Sequence, residues 1–244
     1  MGDRLKTWQK IALITLITLA IGGIYLFFVW KQRQNPGVVN RDQDTESTNM
    51  DDYVVMRTLS PHYFEDLHKL VNTTVWMKNG YTMAYFPYAG GRIVFAHPAG
   101  VVPAAQRLEI KKVIKSAVPA AVDDGISHGN QQAFAIFALP DGPNLYAVAL
   151  GSIEGSEESY YCDILFFYDD PHGIYDRWPK DVWAAIDAHQ VKTGMSELET
   201  RMAIGQKMQA SSEEQGNRTV NFDQAGKHWS VTYVNDHATE IKQE

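Results

Sequence analysis

Asp169-Asp170-Pro171-His172 is the densest run of groups able to do chemistry in this chain, with Tyr175 and Asp176 close behind. Two carboxylates and an imidazole could hold a divalent cation or supply an acid/base pair. Adjacent carboxylates in a continuous strand point to opposite faces, so only a turn brings them together. The same residues have a structural use, because Asp before Pro starts turns and its carboxylate caps exposed amides. A membrane-tethered hydrolase or metal-dependent enzyme using Asp169, Asp170 and His172 is one expectation for function.

Other reactive residues are scattered. Arg107, Lys111 and Lys115 step by four, and Ile110, Val113, Ile114 and Ala117 recur at helical spacing between Pro103 and Pro119. That pattern predicts a helix with the three cations on one face, able to meet anionic lipid or an acidic partner. Asp123, Asp124 and His128 lie in a glycine-containing loop with no fixed spacing to another ligand. Cys162 is the only cysteine, which excludes an intrachain disulfide and a cysteine-based zinc site. It sits in the apolar run Tyr160–Tyr168, read as one strand, where a free Cys is a small core residue. There is no G-x-S-x-G, H-E-x-x-H, G-x-x-x-x-G-K-[ST] or G-x-G-x-x-G. No cofactor is expected. The net charge of −7 argues against a nucleic-acid partner, since phosphate binding rests on Lys and Arg.

The elements that must position these groups begin with a stretch of another kind. After a tail of residues 1–10, residues 11–30 (IALITLITLAIGGIYLFFVW) carry no charge and are bracketed by Lys10 and Lys31. At ~1.5 Å per residue a helix of this length crosses the ~30 Å apolar core of a bilayer. Arg4, Lys6, Lys10 and the amino terminus outweigh Lys31 and Arg33, which predicts a single-pass signal-anchor with its N-terminus in the cytoplasm. The remainder would then lie outside the cytoplasm, in a bacterium in the periplasm, on the inner membrane. Residues 31–52 are a polar linker containing Pro36 and Gly37.

Beyond the linker the chain reads as α+β in two blocks. Residues 53–178 predict a strand-rich α+β domain of about six strands, with a helix opening at Ser60-Pro61 and a meander through TVWMK, YTMAYFPY and RIVFAH. Gln132–Leu139 and Leu145–Ile153 follow as strands. Both alternate faces of AFAIFA are apolar, as in a central strand covered on both sides. Residues 180–244 predict a small ααβββ domain. One helix runs from Lys180 to about His189, whose charge would suit that helix end. Ser196 and Glu199 form a capping box on a second helix, and Gly205 ends it. Residues 206–217 read as a polar loop, followed by RTVNFD, HWSVTYV and ATEIK as strands. Trp229, Val231 and Tyr233 alternate with Ser230 and Thr232, so one face of that sheet is buried and the other wet.

This second block resembles the SmpA/BamE family of small outer-membrane lipoproteins. The stretch that carries the likeness runs from Val191-Lys192-Thr193-Gly194-Met195-Ser196 to Ala203-Ile204-Gly205. The Pro that follows the helix-ending glycine in that family is Gln206 here, and an apolar segment stands in place of the lipidated cysteine. The resemblance implies a non-catalytic adaptor that binds other proteins of the cell envelope. Ser230, Thr232 and the 206–217 loop are the expected contacts.

Overall fold

Strand β6 (Gln131–Ala138) sets the first half of the molecule, because Gln132–Phe137 are all buried and a strand can hide both faces only in the middle of a sheet. The computed structural model describes residues 54, 56–78, 80–122, 126, 131–140, 142–205 and 207–243. Residues 11–30 and the linker lie outside them, as do Asp123, Asp124 and His128. Among the described residues no helix is long and apolar enough to cross a membrane.

The architecture is α+β, with many antiparallel strands and few helices. Nine strands form one sheet. They are β1 (Thr74–Met77), β2 (Ala84–Ala89), β3 (Arg92–Ile93), β4 (Gly100–Val101), β5 (Arg107–Ser116), β6, β7 (Leu145–Glu154), β8 (Glu157–Tyr160) and β9 (Phe166–Phe167). The order is β3-β2-β7-β6-β5-β1-β9, with β4 added to β2 and β8 to β7. Of the expected meander only the second hairpin forms, β2 pairing with β3 through Tyr88–Ile93 and Ala89–Arg92. β1 pairs with β5 and β9, while β2 pairs with β7.

The predicted helix between Pro103 and Pro119 is strand β5. Its register against β6 shifts between Ile110 and Lys112, a bulge that makes Lys111 the extra residue. Leu108, Ile110 and Val113 are the buried positions, two residues apart and then three. A bulge interrupting the alternation thus imitates helical spacing.

Two more elements differ from expectation. No helix begins at Ser60-Pro61. Ser60 has a left-handed backbone (φ 46°), and a 3₁₀ helix starts later, at Phe64–Leu70. The run Tyr160–Tyr168 is not one strand, since a single helical turn, α1 (Cys162–Leu165), separates β8 from β9. Asp163 holds that turn, accepting from the amides of Leu59 (2.8 Å) and Ser60 (2.9 Å) and from the Tyr168 hydroxyl (2.7 Å).

The second half follows its predicted order more closely. α2 (Pro171–Ile174) is a short turn; α3 (Lys180–Asp187) and α4 (Glu197–Ile204) are the two expected helices. The capping box at Ser196 is present, with Ser196 N–H donating to Glu199 at 2.7 Å, and Gly205 ends α4 at φ 102°. A second sheet runs β10-β11-β12-β13, from β10 (Lys207–Ala210) through β11 (Thr219–Gln224) and β12 (Lys227–Val234) to β13 (His237–Gln243). β10 lies in the stretch expected to be loop. Ile186, Met202 and Ile204 from the helices pack on Val220, Phe222, Val231 and Tyr233 from the sheet. Phe167, Tyr175 and Trp178 complete this second core, and Val54, Met56 and Trp76 pack against it.

Candidate functional site

The turn expected at Asp169-Asp170-Pro171-His172 forms, and it separates the two carboxylates. Asp169 faces Arg57, 3.5 Å away, while Asp170 caps α2 by accepting from the His172 amide at 2.9 Å. Asp170 also meets the imidazole Nδ1 of His172 at 2.9 Å, and Asp187 on α3 approaches Nε2 at 3.4 Å. The ring stacks on Trp183, centroids 4.0 Å apart, and Trp183 leans on Trp178. His172 is thus the outermost ring of an aromatic column that leads into the second core. Asp170, His172 and Asp187 remain roughly half exposed. Among the described residues no group of three or more His, Cys, Asp or Glu is placed to hold a metal ion.

The bulge in β5 divides the three cations. Arg107 and Lys111 both pair with Glu109, at 3.2 and 3.0 Å. Lys115 lies beyond the extra residue, where it pairs with Glu158 at 3.2 Å and sits 4.7 Å over the Phe64 ring. A single cationic face does not form. Cys162 is fully buried, and burial with Asp163 alongside pushes its thiol up to about 12, the opposite of an activated nucleophile.

Ser230 and Thr232 are where alternation places them, on the face of the second sheet turned away from α3 and α4. Asn221, Ser230 and Lys242 form one cross-strand row, and Thr219, Thr232 and Glu240 form the next. The Thr219 and Thr232 hydroxyls bond at 3.0 Å. This face is hydrogen-bonding in character, and its charges are paired, Lys242 with Glu240 at 2.9 Å and His228 beside Asp223 at 3.3 Å.

One cluster escaped the sequence reading. Tyr81, in the loop between β1 and β2, enters a socket made by His189 after α3, Gly205 after α4 and Gln224 at the end of β11. Gln224 Nε2 donates to the Tyr81 hydroxyl (3.2 Å) and to the His189 carbonyl (3.0 Å), while its Oε1 accepts from Trp229 (3.1 Å). A methyl group on Gly205 would stand 2.4 Å from the Tyr81 ring, so the ring rests on bare backbone. His189 does not cap α3 as an exposed cation. It turns left-handed (φ 54°) and directs a half-buried ring edge-on to Tyr81, centroids 6.1 Å apart. Burial holds the imidazole below the usual histidine range, opposed by the Ala203 carbonyl and by Asp187. The one sequence signal was Gln224, a polar residue at the end of an otherwise alternating strand.

Compared with known protein families, with curated proteins and with solved structures, the chain matches none.

Proposed function

We propose that this chain is a membrane-anchored adaptor of the bacterial cell envelope. In this reading residues 11–30 hold it in the inner membrane with the N-terminus cytoplasmic. The folded body stands in the periplasm and binds another envelope protein without chemistry of its own. The observation that carries the reading is the wet face of the second sheet. Asn221, Ser230, Thr219 and Thr232 line up in cross-strand rows there, opposite the face on which the helices pack. Further support comes from the resemblance of residues 180–244 to the SmpA/BamE family and from the lack of a local catalytic motif. The scattered placement of the reactive side chains points the same way.

Photo-crosslinkers placed at Ser230 and Thr232 of the full-length protein in cells test the proposal. A discrete adduct that recurs at both positions, and is lost when Asn221 and Thr219 are changed to Lys, is the expected result. Adducts no different from those of a probe at Glu214 would sink it. A reporter enzyme fused after Glu244, active only outside the cytoplasm, tests the topology separately.

A further inference from the structure

The Tyr81 socket joins two parts of the molecule that are far apart in sequence. The loop between β1 and β2 is tied to the first sheet, since Tyr81 N–H donates to the Val102 carbonyl at 2.7 Å. Its ring reaches into the second half, where it meets His189, Gly205 and Gln224. Gln224 is fully used there, with one amide nitrogen serving two acceptors and its oxygen serving Trp229. The Gln224 amide therefore has no N–H left for the His189 ring.

His189 is the one member of this cluster that can change charge near neutral pH. The ring has the Ala203 carbonyl among its neighbours. Nδ1 is enclosed and has no hydrogen-bond partner. A neutral imidazole fits, with Nδ1 carrying only a lone pair. An imidazolium does not, because its Nδ1–H is a charged donor shut away from water and left without a partner. The elements packed around the ring offer little relief. Tyr81 comes from the β1–β2 loop, backbone from the end of α4 and an occupied amide from β11. Asp187, on α3, is the nearby carboxylate, and it also faces His172 at 3.4 Å.

We propose that the Tyr81 socket is an acid-opened latch, in which a second proton on His189 expels the Tyr81 ring and frees the β1–β2 loop from the C-terminal half. The sign follows from the neutral form being the one the fold holds. The unfolded chain takes up the proton near pH ~6.5, the folded one only below that. The latch is fully closed above the higher value and weakens as pH falls through the window beneath it.

The test is hydrogen exchange of the full-length protein in detergent micelles at pH 7.5 and 5, corrected for the intrinsic rate. The Tyr81 and Gly205 amides should exchange several-fold faster at pH 5 than at pH 7.5. A His189→Asn variant, which tolerates the left-handed backbone and does not titrate, should lose that pH response. The same response in wild type and variant would overturn the latch. Should the variant fail to fold, the ring-proton titration of His189 in wild type decides: a midpoint below ~6.5 supports the latch, and one at or above it refutes it.

Discussion

Gly205 shows how much one missing side chain can support. Its left-handed φ of 102° and the 2.4 Å approach of Tyr81 are two separate demands, and only glycine meets both. Gly205→Ala should cost about 1–3 kcal/mol, read from the urea midpoint, the range for backbone held where a side chain is unwelcome. Arg218 and Glu197 make a second residue-scale point. Their side chains, 7% and 10% exposed, meet through two hydrogen bonds of 3.0 and 2.6 Å between the start of β11 and α4. Arg218→Ala leaves a buried carboxylate alone and should destabilise by roughly 3–5 kcal/mol, whereas replacing both partners by apolar residues should recover much of that loss. Neither pair was legible in the sequence. A lone glycine after a helix announces a helix end but not the ring that will lie on it, and Glu197 looks like any acidic residue in a first helical turn.

Local signals read well wherever the element obeys one period. β6, β7, β11, β12, α3 and α4 all appear within a few residues of their expected places, since capping boxes, turn glycines and strict alternation act over less than ten residues. The failures have separate physical causes. In β5 the extra residue Lys111 carries the buried set from even to odd positions, and the resulting spacing looks helical. Deleting Lys111 would restore plain alternation, with Ile110 and Val113 still inward and Lys112 outward. This deletion should leave the far-UV circular dichroism unchanged and the urea midpoint close to wild type. A collapse of either would mean that the bulge has another role. In Tyr160–Tyr168 the misleading feature was apolar continuity. Asp163, which looks out of place in that run, is the group that ties the turn to Leu59 and Ser60. The same two-period confusion put Arg107, Lys111 and Lys115 on one expected face, which the bulge splits.

Across the whole molecule the two sheets do not correspond to two independent stretches of chain. Trp76 and Phe167, from β1 and β9 of the first sheet, and Tyr175 and Trp178 from the connector help to form the core around α3 and α4. Expressed alone, residues 180–244 should therefore lack cooperative unfolding, and a fragment starting at Phe166 should recover part of it. A calorimetric scan of both fragments checks this. What stayed illegible at this scale was strand order. Pairings such as β1 with β9 join residues about ninety positions apart, and nothing in a local pattern specifies them.

Val54 and Met56, at the head of the described chain, pack in the same core as Ala238 and Ile241, close to its tail. A polypeptide made from the N-terminus forward must keep Val54 and Met56 waiting until β13 has emerged. The nine-stranded sheet can assemble during synthesis, but the second core closes only once β13 has been made. Any nascent chain stalled before β13 would present Trp76, Phe167 and Trp178 to whatever protein reaches them first.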